Sequence, residues 1–422
     1  MISKIKKVLY FPIASYFRFF AKLRLRKWKP RVVVVTGSNG KTTLLHMLEA
    51  QIGDNARYSH HANSSFGIPF DILDLHRKTL SQSEWLSLIL KTPFAVFKKI
   101  PKEKIYIVEA DCDRLGEGKF LAELLKPEIV LWVSVSRTHS LNFDSLVEKK
   151  KFSNVEEAIA YEFGYFLEYC SKLSVLNGDS DLMLKQKNRT KAEVNLIKKE
   201  RNLKKYSIKK SGVEFLINTQ KYEFQSLLPE DVFCSIEMCR LTVNFLQLTF
   251  DPSFKNFVMP PGRGSIFEGI KNTTIIDSSY NANLGSITVI LNMYKKFPSD
   301  NKWVVIGDML ELGKVEKEEH EKLAKILLNT KLENIILVGK LTNKYTYPFL
   351  KDISRVVSFE SGRQALEYLE KNLKGHETVL FKGSQSLFLE GIIEKLLKQK
   401  NDIVKLPRQI QFWKDVRKIK GY

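Results

Sequence analysis

Nowhere in its 422 residues does the chain string together the 18 or more uncharged apolar residues of a membrane-spanning helix. Cysteine is nearly as scarce. Cys112, Cys170, Cys234 and Cys239 form no C-x-x-C pair, so neither a disulfide framework nor a zinc ribbon is indicated, and reduced thiols of a cytosolic protein are expected. Acids are missing altogether from residues 1–31, which hold ten Lys and Arg and so carry nearly half of the formal charge of +21. A surplus of that size attracts polyanions of any kind: nucleic acid, anionic lipid or phosphorylated substrate. What the chain does have is a 44% apolar fraction, enough for well-packed globular domains, and a length that implies two or three of them.

Residues 1–30 have the charged start and apolar middle of a signal peptide but no small-residue cleavage site. On a helix, Lys4, Lys7, Ser15, Arg18, Lys22, Arg26 and Lys29 fall along one stripe, and Leu9, Phe17, Phe20, Leu23 and Trp28 lie on other faces. Two readings remain open, a helix lying in a membrane interface and a helix packed on the body; nucleic acid is not expected. Pro12 is expected to break or kink the helix.

The run "VVVVTGSNGKTT" over residues 32–43 turns from a buried strand into a glycine-rich loop and then into a helix. Gly37 and Gly40 allow a tight turn whose N–H groups, with those of Ser38, Asn39 and Thr43, suit a polyphosphate at a helix start. In that setting Lys41 reaches the terminal phosphates and the Thr42 hydroxyl meets magnesium. Position 35 is valine where the longer phosphate loop G-x-x-x-x-G-K-[ST] begins with glycine, so the pattern is a shortened one.

T-G-S-N-G-K-T-T resembles the ATP loop of the Mur ligase family, and later residues extend the resemblance over nearly the whole chain from about residue 31. Within the family the MurF type, which adds D-alanyl-D-alanine, carries a motif like that at Asn63, Gly67 and Pro69 in "ANSSFGIPF". The resemblance implies ATP and Mg2+ as cofactors, with Glu109 and His139 at the metal. It puts Glu162 where many Mur ligases carry a carbamylated lysine, as a permanent carboxylate able to serve a second magnesium. Asn177 matches a strand end near the nucleotide.

In "MPPGRGSIFEGIKNTTIIDSSYNANLGS" the residues Arg263, Asp277, Tyr280, Asn281, Asn283 and Ser286 match, with Leu284 in place of a proline. The family implies that Arg263 and Asp277 meet the nucleotide when the domains close. "VVIGDMLELG" supplies Asp308 and Glu311, with His320 following, and "FKGSQS" keeps Lys382 and Ser384 but has Gln385 for an arginine. Asn63, Asn283, Asp308, Glu311, Lys382 and Ser384 are thus the candidate substrate contacts.

The expected fold is α/β: a basic N-terminal segment over 1–30, a phosphate-loop ATPase domain over 31–259, and a Rossmann-like doubly wound domain over 260–422. Strands near 273–279, 302–308, 334–339 and 378–382 alternate with helices near 284–297, 316–329, 361–373 and 386–398. The ATP loop arrives by residue 36, so the uridine-nucleotide domain with which full-length family members begin is expected to be absent. The MurT type, which also lacks it, has a zinc ribbon that these cysteines cannot make. The expected activity is ATP-dependent joining of a muropeptide carboxylate, UDP- or lipid-linked, to an amine such as D-Ala-D-Ala. A same-fold ligase with an amino acid or ammonia as acceptor is the first alternative. A non-catalytic basic ATP-binding protein is the second. The setting is cytoplasmic, with residues 1–30 a candidate contact with the inner membrane face.

Overall fold

The computed structural model describes residues 2–60, 62–77, 82–137, 142–143, 151–330, 332–353 and 355–419. They fall into two units. The first draws on Met1–Ser136, Ser145–Asn202 and Cys234–Phe257, and the second on Leu203–Phe233 and Val258–Tyr422 as well as the short stretch after Ser136. The expected single boundary at 259/260 thus differs from this division, because Leu203–Phe233 goes with the second unit.

The first unit opens with α1 (Ile2–Trp28), β1 (Arg31–Thr36), α2 (Lys41–Ile52) and β2 (Ala56–Tyr58). It continues through α3 (Gly67–Leu73), α4 (Gln82–Ala95), β3 (Ile105–Ala110), α5 (Glu117–Leu125) and β4 (Ile129–Trp132). Then come α6 (Val155–Glu168), β5 (Leu173–Asn177) and β6 (Glu193–Ile197). The strands form one parallel sheet in the order β2-β3-β1-β4-β5-β6. Val33, Val34, Val35, Ile107, Val108 and Ile129–Trp132 are fully buried, as strands covered on both faces must be. After β1 the chain leaves for β2 at the edge, β3 comes back beside β1, and β4 lies on its other flank. That reversal puts a crevice at the carboxyl end of β1, where open α/β sheets hold ligands.

α1 runs unbroken through Pro12. Its aromatic face is turned inward: Ala14, Phe17 and Ala21 are fully buried, and Phe17 meets Phe70 edge-on at 4.7 Å. Arg24 is buried and gives its guanidinium to the carbonyls of Ala95 and Lys99 at 2.6 and 3.0 Å, closing the C-terminal end of α4. Arg18 pairs with Glu123 at 2.6 Å. Tertiary contacts of this kind outweigh the one backbone bond that proline removes. So of the two readings of residues 1–30, the structure has the packed helix.

A small antiparallel sheet of β7 (Leu203–Lys209), β8 (Gly212–Ile217) and β9 (Gln220–Phe224) starts the second unit. α7 (Val232–Phe245) follows and, from Cys234 on, belongs to the first unit; Ile236, Met238, Cys239 and Val243 are fully buried. Beyond it, Asp251 exchanges two hydrogen bonds of 2.8 Å with the Gln51 side chain at the end of α2, a contact 200 residues apart.

The larger sheet of the second unit has the order β10-β11-β15-β12-β13-β14. It comprises β10 (Ser265–Glu268), β11 (Thr274–Asp277), β12 (Lys302–Gly307), β13 (Asn334–Val338), β14 (Val356–Phe359) and β15 (Thr378–Lys382). Only β10 runs antiparallel to its neighbour. Helices α8 (Leu284–Lys296), α9 (Glu316–Leu328), α10 (Gly362–Asn372), α11 (Glu390–Leu396) and α12 (Gln411–Ile419) accompany it. Around Val305, Ile336, Val379, Phe381, Leu389 and Ile392 the strands and helices share one fully buried core. The doubly wound architecture is as expected, with β10, β14 and α12 added to it.

Candidate active site

In the first unit the phosphate loop sits between β1 and α2 and is latched to the chain leaving β4. Ser38 N donates to Ser134 O at 3.0 Å, and Asn39 N donates to Ser134 Oγ at 2.7 Å. Ser134 Oγ donates in turn to Asn39 O, Ser38 Oγ to Ser136 O and Asn39 Nδ2 to Ser136 Oγ, each at 2.8 Å. Gly37 has φ 130°, and a Cβ there would lie 2.7 Å from Ser134 O, so the close approach requires glycine. Gly40, at φ 86°, occupies the N-cap of α2. The first-turn N–H groups of a helix have no partner within it, which leaves those of α2 as the anion donors.

Lys41 is buried against two strand-end acids. Its Nζ is 2.7 Å from Asp111 Oδ2 and 2.5 Å from Gly37 O. Burial opposes the ammonium, but Asp111 and Glu109 outweigh that and hold its pKa above the ordinary value. Thr42 Oγ1 donates to Glu109 Oε2 at 2.9 Å. Glu109 is itself fixed by Ser59 Oγ, which accepts from its N–H at 2.9 Å. A hydroxyl and a carboxylate at that separation are hard oxygen donors and suit magnesium.

The other expected residues of this unit are placed as follows. Asn63 is exposed, and its carbonyl accepts from Asp111 N at 2.8 Å, so it positions the partner of Lys41 through its backbone. Asn177 Nδ2 donates to Val133 O at 3.4 Å, beside the loop's latch. Glu162, on α6, is buried; its oxygens accept from Gly116 N at 2.9 Å and Gly118 N at 3.1 Å, capping the start of α5. Burial pushes its pKa up to about 7 against those two donors. Any cation at Glu162 would compete with both N–H groups. His139 lies outside the described residues.

In the second unit the candidates gather at the carboxyl ends of the adjacent strands β11, β15 and β12. Asp277 is fully buried; Oδ1 accepts from Ser279 N at 2.9 Å, and Oδ2 has no hydrogen-bond partner among the described residues. Burial raises its pKa to about 6. Lys382 Nζ donates to Asn281 O at 2.7 Å, and burial, helped by Arg263, lowers its pKa to about 7. The Arg263 guanidinium stacks 3.9 Å above the Tyr280 ring. Around Arg263, then, the structure brings together Asp277, Tyr280, Asn281 and Lys382.

Of the remaining candidates at these strand ends, several also make hydrogen bonds within the fold. Asn283 caps α8 reciprocally with Ser286. Asp308 Oδ1 accepts from Leu341 N, Thr342 N and Thr342 Oγ1 at 2.7–3.1 Å. Ser384 Oγ accepts from Leu310 N at 3.1 Å. His320 is fully buried, taking Met309 N on Nε2 and lying 2.7 Å from Glu316 O through Nδ1, a structural bridge. Glu311 is exposed, at φ 63°.

The sequence reading missed Asp111, Ser134 and Ser136. Asp111 follows Glu109 by two residues at the end of a strand, a period that puts both on one face. The serines carry no motif; only the structure shows that they face the loop.

Residues 35–231 match the family model described as the Mur ligase middle domain, and residues 262–385 that of the Mur ligase, glutamate ligase domain. A UDP-N-acetylmuramoyl-tripeptide--D-alanyl-D-alanine ligase of Rickettsia prowazekii is 25% identical over 382 residues, 87% of this chain and 78% of that protein. The enzyme of the same description from Escherichia coli is 23% identical, over 87% of this chain and 76% of its own. Among solved structures, MurF ligase from Thermotoga maritima in complex with ADP superposes with a TM-score of 0.72 at 20% identity, over 96% of this chain and 84% of that one. MurF from Acinetobacter baumannii gives 0.73 at 16%, over 92% and 81%. With both domain models matched in order and a phosphate loop built as described, the chain belongs to the Mur ligase family.

Proposed function

We infer that the chain is an ATP-dependent amide ligase of peptidoglycan precursor synthesis, joining a muropeptide carboxylate to an amine, D-Ala-D-Ala in the first instance. The observation that carries this is the latched loop: a buried Lys41 with strand-end counter-charges, beside a Thr42–Glu109 oxygen pair. The similarity to D-alanyl-D-alanine ligases over most of the chain supports the choice of acceptor.

Magnesium held at Thr42 and Glu109, with His139 as a further proposed ligand, would neutralise phosphate charge. Lys41 and the N–H groups of α2 hold the β- and γ-phosphates and stabilise the charge that develops as the substrate carboxylate attacks the γ-phosphorus and ADP leaves. The acyl phosphate so formed is attacked at carbon by the amine; a proton leaves nitrogen and inorganic phosphate departs. No protein nucleophile is needed, because positioning and charge neutralisation suffice. Arg263 is assigned to phosphate by its forked donors. Asp277, whose Oδ2 is buried without a hydrogen-bond partner among the described residues, is assigned to a nucleotide hydroxyl. Lys382, whose ammonium donates to the Asn281 carbonyl at 2.7 Å, is assigned to the substrates, and Asn281 to the nucleotide. The ATP requirement sets the reaction in the cytoplasm.

Gln385, at the position where the resemblance has an arginine, favours a second reading in which the amine lacks the dipeptide's carboxylate. One experiment separates these. The protein is incubated with ATP and D-Ala-D-Ala, single amino acids or ammonia, with UDP-linked or lipid-linked tripeptide, and products are read by mass spectrometry beside phosphate release. Release requiring both a muropeptide and an amine supports the ligase. ATP binding with no release under any pairing leaves a binding protein.

A further inference from the structure

Amphipathic α4 buries one face and leaves the other bare. Leu88, Thr92, Ala95 and Val96 pack inward. On the opposite side Leu86, Leu90, Phe94 and Phe97 are exposed by 60%, 63%, 75% and 79%. At ~100° per residue Leu86, Leu90 and Phe94 lie within about 80° of arc, one stripe of α4 rather than scattered apolar residues, and Phe97 follows in the turn just past the helix. α1 extends it. Tyr16 OH donates to Ile89 O at 2.8 Å, and Lys27 Nζ sits 4.7 Å over the Phe97 ring, so these two residues mark the side of α1 that borders α4. Leu9 and Ile13 share that side within ~60° of the wheel and are exposed as well.

The border of the stripe is basic. Between residues 91 and 104 the chain has Lys91, Lys98, Lys99, Lys102 and Lys104, all exposed, against Glu103 in that stretch and Asp74, which pairs with Lys98 at 3.4 Å. Arg26, Lys27 and Lys29 add exposed cations at the end of α1. A second copy of this chain would bring a like-charged rim against it, which costs Coulomb energy rather than gaining it. An anionic bilayer matches both parts: large aliphatic and aromatic side chains enter the acyl boundary, and lysines meet headgroup phosphates. No described helix is long and apolar enough to cross a membrane, so the contact lies on the surface.

We propose that the exposed face of α4, edged by the lysines of residues 91–104 and the end of α1, docks this protein on an anionic lipid surface. The proposal moves the contact from the aromatic face of α1, which is internal, to a helix with no part in nucleotide chemistry. It holds whether the muropeptide is UDP- or lipid-linked.

The test uses the full chain and sedimentation with vesicles of phosphatidylcholine alone or of phosphatidylcholine mixed with phosphatidylglycerol, whose headgroups supply the anionic surface. Binding is expected only with the anionic lipid, weakening as salt rises. Phe94→Ser combined with Phe97→Ser, at positions too exposed to hold the fold, should lower partitioning by about tenfold or more and leave ATP turnover in solution unchanged. Replacing Lys99 and Lys102 by glutamine should weaken binding at low salt. Absence of binding to anionic vesicles overturns the proposal, as does binding that the double serine variant leaves intact. So does concentration-dependent self-association abolished by the same variant, which would make a second copy the occupant.

Discussion

Asp111 stands 2.7 Å from Lys41 where a triphosphate would otherwise supply the negative charge. Removing one member of a buried pair leaves the other uncompensated, at a cost of about 3–5 kcal/mol. Asp111→Asn should therefore lower the melting temperature of the nucleotide-free protein, and added ATP should raise it by more than it does in the wild type. Equal increments in a thermal-shift titration would refute that. Lys382 gives a pH prediction of definite sign. Its folded pKa is lowered to about 7, below that of an unfolded lysine, so between those values the unfolded chain binds the extra proton and stability rises with pH. Below about pH 7 both states are protonated and this contribution is flat. Urea midpoints should thus show Lys382→Met more stable than wild type by a constant margin below pH 7, narrowing toward pH 10. At this scale the motif residues Lys41, Thr42 and Glu109 were legible because their chemistry is tied to a loop spacing. Asp308 and Asn283 were legible as motif letters but not as caps, because a sequence does not say which neighbouring N–H a carboxylate or amide will face.

Elements were the most readable level. β1 extends the expected Val32–Val35 by one residue at each end, and β15 has the expected bounds of 378 and 382. Strands buried on both faces leave little choice of period, which is why they stand out. α1 was misjudged at Pro12, since a proline's local cost is visible in sequence while the burial of Phe17 and Arg24 is not. The stripe of α4 was present as an i, i+4, i+8 spacing, but only burial of the other face reveals that it is the exposed side. The latch on the phosphate loop offers the element-scale test. Ser134→Ala removes the two side-chain bonds of 2.7 and 2.8 Å to Asn39, about 1–2 kcal/mol in all. The expected result is a KM for ATP raised by about tenfold, with Ser134→Thr, which keeps the hydroxyl, near wild type. An unchanged KM in the alanine variant would show that the loop holds its shape without the latch.

Across the whole chain the net charge of +21 opposes compactness, because like charges repel more when close. Screening shortens their reach from about 10 Å at 0.1 M salt to about 3 Å at 1 M. Sodium chloride added from 0.05 to 0.5 M should accordingly raise the melting temperature by a few degrees, and a fall would show that specific ion pairs dominate. The charge was readable from composition alone. The interleaved path of the chain was not, for no local signal marks Leu203–Phe233 as grouping with the second unit while the stretches on either side of it group with the first.

That path bears on how the protein is made. The sheet of the first unit is complete when Ile197 has been synthesised, yet the segment that fastens the far end of α2 arrives only with Asp251. A ribosome must therefore deliver a whole meander, Leu203–Phe224, before the far end of α2 gains its last two hydrogen bonds, although the buried face of that helix packs on the sheet earlier. Chains stalled between Asn202 and Asp251 would expose the bed of α7 to chaperones and proteases, and release from that vulnerability should come as one step when residue 251 clears the tunnel.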